Sequence, residues 1–153
     1  MISQQKVSAL IRAESVLVDK NAIGEMYNTA LKFVGMGVGG ILYSAGKQGG
    51  QSGARLLRDK LGYDGDDLVE AALTAFNQSN WGHATLIRED PKLFINVEHS
   101  TLASAVPTQK RSVCHPIAGY LAGFLEEAWR RPVKVQEIEC IAVGHPRCRF
   151  TVE

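Results

Sequence analysis

All three cysteines of this 153-residue chain fall in its last forty residues, and an acid stands among them. Cys114 lies in RSVCHPIAGY. Cys140 and Cys148 lie in VQEIECIAVGHPRCRF, which also carries Glu137. Three thiols and a carboxylate make a complete tetrahedral set for Zn²⁺, a borderline-soft ion that accepts both sulfur and oxygen. A set of that kind leaves no open position, so it argues for a metal that holds the fold rather than one that attacks a substrate. The plain alternative is that the thiols are buried as small hydrophobes, as free cysteines often are. No CxxC pair marks the site, and on spacing alone Glu139 or His145 competes with Glu137 for the fourth place.

The chain is long enough to bury a real core without disulfide staples. We therefore expect a single domain over residues 1–153, with residues 1–24 as an N-terminal arm. Lys and Arg number 17 against 16 Asp and Glu, and no basic block stands out, so direct nucleic-acid binding is not expected. An odd cysteine count argues against a paired disulfide framework and fits a reducing, cytoplasmic setting. The first twenty residues are too charged for a signal peptide. The weakly polar run FVGMGVGGILYSA, residues 33–45, is too short to span a bilayer.

Along the chain, AESVLVD reads as a short strand or a packed arm. From Ala22 the apolar period is helical, with Ile23, Met26, Tyr27, Ala30, Leu31 and Val34 on one face and Gly35 or Gly37 ending it. Residues 38–60 read as a second helix that is secure to about Gly46. Beyond that, GGQSG at 49–53 is either a loop or a helical stretch whose glycines allow a backbone or ligand to approach closely. Asp64 or Asp66 caps a helix over 66–79. HATLIRED and KLFINVEHS form an antiparallel hairpin turning at Asp90-Pro91, and residues 101–111 a loop. Pro116 suits the first turn of a helix from His115 to Trp129. A last hairpin turns at Gly144-His145-Pro146. The sum is α+β: helices packed on an antiparallel sheet of about four strands. Strict alternation puts Glu137 and Cys140 on opposite strand faces, so the four ligands meet only with a bulge or bend near Ile138-Glu139.

GYLAGFLEEAW followed by EIECIAVGHPRCRF resembles the 4-vinyl reductase domain family, with NWGHATL and GGILYSAGKQGG as more variable upstream matches. The likeness covers roughly residues 25–153. It implies a fold similar to the Golgi transport subunits and the haem-based nitric oxide sensors, holding an apolar pocket and often dimeric. Family members are hydrocarbon-binding proteins or sensory domains of aromatic-responsive activators, and one is associated with reduction of a tetrapyrrole vinyl group. Phenol-sensing members carry a structural zinc on Cys, Glu, Cys and Cys, which the resemblance places on Cys114, Glu137, Cys140 and Cys148. The chain has no ATPase segment or helix-turn-helix, so it is not expected to be a whole activator.

The expected function is binding or sensing of a small apolar or aromatic molecule by a zinc-stabilised homodimer that signals to a protein partner. The alternatives are an accessory or reductase role on a tetrapyrrole vinyl group, or a scaffold subunit. Catalysis has little support, with no serine elbow and no HExxH, and a nucleophilic Cys114 would break the ligand set. GxGxxG and P-loop spacings fail around Gly35–Gly40. Phe76, Trp81, Phe94, Tyr120 and Phe124 are the aromatics available to wall a pocket, though such residues are more often core. His115 and His83 read as a helix start and a surface strand position.

Overall fold

The computed structural model describes residues 1–34 and 37–153. Helix α1, Gln4–Glu14, starts at Ser3, whose side chain accepts from the Lys6 N–H. Only Val7 of α1 is buried, and the helix is held against its neighbours by polar ties. The Met1 ammonium reaches Asp67 at 3.1 Å, the Ser3 N–H reaches the Tyr63 hydroxyl at 2.8 Å, and Ser8 reaches Gln78 at 2.7 Å. No strand forms at Val16–Val18: all three are exposed, up to 104% at Leu17. Helix α2, Lys20–Val34, is capped by Asp19, which accepts from the Ala22 N–H at 3.0 Å. The expected break at Gly35 lies outside the described residues.

Helix α3 runs unbroken from Val38 to Leu61, so GGQSG is helix and not a loop. Its glycines are explained by α6, His115–Trp129. A Cβ on Gly46 would strike the Pro116 carbonyl, and one on Gly50 the Tyr120 carbonyl. Reciprocally, Gly119 presses on the Tyr43 carbonyl and Gly123 on the Lys47 carbonyl. Glycines four apart on each helix therefore interlock, and the two backbones run parallel in closer contact than any side chain permits. Gly62, at φ 74°, terminates α3 in the left-handed region that favours glycine.

Helix α4, Gly65–Gln78, turns Leu68, Val69, Ala72 and Phe76 inward. Strands β1, His83–Glu89, and β2, Lys92–Glu98, form the first hairpin. A single helical turn, α5 (Thr101–Ser104), falls where a loop was expected. Strands β3, Val135–Glu139, and β4, Cys148–Val152, complete an antiparallel sheet of order β1-β2-β4-β3. The expected α+β class, with helices on a four-stranded antiparallel sheet, is borne out. Between α6 and the sheet the space is filled: Leu121, Phe124 and Leu125 are fully buried, as are Ile95 and Phe150. None of the described helices is long and apolar enough to cross a membrane.

Candidate metal centre

The register of the last hairpin slips between Glu137 and Glu139: Glu137 faces Phe150, yet Glu139 faces Arg149. That bulge at Ile138 undoes strict alternation, as the spacing of Glu137 and Cys140 required. Cys140 itself lies one residue beyond β3, at the start of a 3-10 turn over Ile141–Val143. This turn folds the chain back so that Cys148 enters β4 beside it. Cys114 is the N-cap of α6.

The ligand atoms of Cys114, Glu137, Cys140 and Cys148 all lie within 4.8 Å of one another. The three thiols are free and fully buried. Cys114 Sγ and Cys148 Sγ stand 3.6 Å apart, far beyond a disulfide bond. Tetrahedral Zn–S bonds of about 2.3 Å place sulfurs roughly 3.8 Å apart, close to this separation. Glu137 spends one oxygen on the Cys114 N–H at 2.9 Å. Its other oxygen is buried with no hydrogen-bond partner. An orphaned carboxylate oxygen among three sulfurs fits a hard–soft mixed site for a divalent cation, and this cluster is able to hold one.

The cluster's electrostatics point the same way. Burial, then the neighbouring Cys140, pushes Glu137 up to about 8. Hydrogen bonds from the Cys114 and Cys148 thiols and from the Val113 N–H hold Cys140 far below the usual thiol range. Cys114 is raised by its hydrogen bonds to Cys140 and Cys148, and by burial. At Cys148 the bond with Cys114 lowers the thiol, but the bond with Cys140 and burial outweigh it and the thiol is raised. Metal-free, the site therefore carries negative charge chiefly on Cys140, with protons on the rest. A cation binds by displacing those protons.

Around the sulfurs stand further donors. The Ile141 N–H reaches Cys148 Sγ at 3.4 Å and Ser100 Oγ lies 3.5 Å from Cys114 Sγ. Such contacts orient ligands and tune their basicity. The rival acids and bases are engaged elsewhere. Glu139 pairs with Arg147 at 3.5 Å, and His145 Nδ1 sits 3.2 Å from the Cys140 backbone nitrogen. His115, next to Cys114, packs its ring under Gly39 on α3, and His83 is exposed.

One residue near the site gave no signal in the sequence beyond its helical period. Tyr27 of α2 is buried, and its hydroxyl donates to the Val113 carbonyl. Burial, then the charges of Cys114, Glu137 and Cys140, keep that phenol protonated. Of the aromatics available for a pocket, Phe76, Tyr120 and Phe124 form a column with centroids 5.9 Å apart at each step. Phe94 lies under Arg149, and Trp81 is 37% exposed. An open groove of about 430 Å³ is lined by Gln51, Arg58, Glu126, Glu127, Arg130 and Arg131, charged groups largely matched in ion pairs.

Residues 93–153, a stretch that contains all four cluster residues, match the 4-vinyl reductase domain. A protein of Methanocaldococcus jannaschii described as uncharacterised is 27% identical over 120 residues, 78% of this chain and 66% of that protein. Another from the same organism is 32% identical over 78 residues, 51% of this chain and 42% of its own length. The chain thus spans 66% or less of these curated relatives. Among solved structures, the phenol-responsive sensory domain of the transcription activator PoxR with phenol superposes with TM-score 0.79. It is 19% identical and covers 90% of this chain and 75% of its own. A vinyl-4-reductase family protein from M. jannaschii gives TM-score 0.62 at 22% identity, covering 97% and 92%. A trafficking protein particle complex subunit 3 from Naegleria fowleri, covalently bound to palmitic acid, gives 0.68 at 17%, covering 88% and 93%. The resemblance read from the C-terminal motifs is borne out, and the fold is that of these neighbours.

Proposed function

From the 4-vinyl reductase domain carried by residues 93–153, we propose that this chain senses a small apolar or aromatic molecule and that Zn²⁺ on Cys114, Glu137, Cys140 and Cys148 keeps it in shape. The observation that carries the metal reading is the buried, partnerless oxygen of Glu137 among three free thiols. All four tetrahedral positions would be protein ligands, so the ion's task is structural. It pins the first turn of α6 to the β3–β4 hairpin. Three unpaired thiols fit a reducing compartment, the cytoplasm.

The ligand class is supported by the likeness to a domain solved with phenol and a subunit bound to palmitic acid. Because the space between α6 and the sheet is filled, a ligand enters by displacing an element. Helix α2 is the one to move: within residues 20–33 only Gly24 and Tyr27 are buried, while Met26 and Phe33 are 67% and 85% exposed. Val16, Leu17, Val18 and Ile41 add to this uncovered apolar surface, which supports a homodimer and a downstream protein partner.

Native mass spectra of untagged protein purified without chelator test both parts, followed by thermal-shift titration with phenol and with palmitate. One zinc per chain and a rise in Tm with either probe are the expected results. A zinc-free, well-folded chain indifferent to both probes would overturn the proposal.

A further inference from the structure

The peptide group joining Val113 to Cys114 is held from both ends. Its carbonyl accepts from the Tyr27 hydroxyl of α2, and its N–H donates to Glu137 Oε2 at 2.9 Å. A peptide unit is planar and rigid, so fixing the carbonyl fixes the direction of the N–H on the opposite side. Hydrogen bonds in series also polarise one another in a buried setting. Glu137 is thereby turned so that its second oxygen is left free in the cluster. The preceding N–H, of Val113, bonds to the Cys140 sulfur, so this short segment touches two of the four ligands directly. Tyr27 is buried to 7% exposure, and Gly24, one turn earlier, seats α2 on Ala105 with no room for a side chain. These are the two buried residues in 20–33 of a helix otherwise turned largely to solvent.

We infer that Tyr27 is a positioning residue for the Glu137 ligand, acting through the Val113–Cys114 peptide, so that docking of α2 and filling of the metal cluster form one coupled equilibrium. The inference rests on the metal reading above. Coupling of this kind is reciprocal: a filled cluster holds α2 down, and an agent that lifts α2 loosens the metal. The helix that carries the exposed Met26 and Phe33 is thus wired to the cluster by one hydroxyl.

The test uses the whole chain. Zn²⁺ affinity is measured by competition with a chromophoric chelator, and Co²⁺ spectra report the ligand field. Tyr27→Phe is expected to weaken Zn²⁺ binding about tenfold to a hundredfold, the usual effect of losing an outer partner of a metal ligand, and to shift the Co²⁺ bands. Tyr63→Phe removes a hydroxyl bonded instead to the Ser3 N–H and should change neither. Hydrogen exchange on the unmodified protein needs no variant: adding Zn²⁺ should slow exchange across α2. If wild type binds metal while Tyr27→Phe binds equally well with the same Co²⁺ spectrum, or if α2 exchange ignores zinc, the coupling is wrong and the metal reading stands. A wild-type chain that takes up no metal overturns both.

Discussion

Gly49 and Gly50 are neighbours in the middle of α3, yet alanine should act on them with opposite sign. At Gly49, which is exposed, an added Cβ meets only Tyr120 Cδ2 at 3.9 Å, an ordinary contact. Nothing then opposes the gain in helix propensity and the loss of unfolded-state freedom, together about 0.5–1 kcal/mol. For a chain of this size that raises Tm by about 2–4 °C. At Gly50 the same methyl strikes the Tyr120 carbonyl oxygen and lies 2.9 Å from Tyr120 C and 3.0 Å from Phe124 N. These are backbone atoms of a buried helix, so no rotamer change relieves the clash, and α3 and α6 must separate along the seam that Gly46, Gly119 and Gly123 share. Overpacking of this severity costs roughly 3 kcal/mol. Set against a propensity gain of about 1 kcal/mol, the net loss is about 2 kcal/mol, a fall in Tm of about 4–8 °C. Thermal melts of the two variants by circular dichroism decide it. A Gly50→Ala protein as stable as wild type, or a Gly49→Ala protein equally damaged, would refute the close-contact account of the glycines.

Cys140→Ser removes a sulfur from the cluster and should abolish zinc binding together with much of the cooperative fold, read by metal analysis and near-ultraviolet circular dichroism; a folded, ligand-competent variant would sink the structural-zinc proposal. Burial alone would raise Glu126, but bonds from Lys47 at 2.8 Å, the Val133 N–H and Gln51 outweigh it and hold the carboxyl below its usual range. A depressed folded pKa contributes stability above the unfolded value that is lost as pH falls through the folded one. Glu126→Gln should therefore cost roughly 1 kcal/mol at neutral pH and converge on wild type in acid; a gap in urea midpoints that persists unchanged at low pH contradicts this. Phe33→Asp places a charge on the exposed apolar surface of α2 and should convert a dimer to monomers in light scattering without lowering Tm, whereas an unchanged mass would remove this surface from the interface.

What could be read in the sequence depended on how far away the cause of each feature lay. Helix α6 was legible from His115 to Trp129 because its broad apolar stripe and Pro116 are local signals. The bulge before Cys140 was legible because two ligands three apart on a strand cannot otherwise share a site. The continuity of α3 was not, since the glycines crowded between residues 35 and 53 read as breakers until their partner is known. That partner is a second pair of glycines, Gly119 and Gly123, far along the chain. The matched four-residue spacing of both pairs was the signal available. Helix α1 had no amphipathic signature because it is fixed mainly by distant polar ties at Met1, Ser3 and Ser8.

The two features hardest to see bear on the same helix. Glycine contacts set how near α6 lies to α3 along its length, and the cluster at Cys114 sets where its first turn sits against β3 and β4. A helix clamped at one side and pinned at one end has little freedom to relay a ligand's arrival. Helix α2 is not so restrained, having its buried anchors at Gly24 and Tyr27. If a signal passes through this domain, the rigid α3–α6 pair serves as the frame and α2 as the part that moves against it. On this argument, ligand-induced changes in hydrogen exchange should concentrate in α2 and be absent from the middle of α6. Equal changes in both would mean that the frame itself deforms.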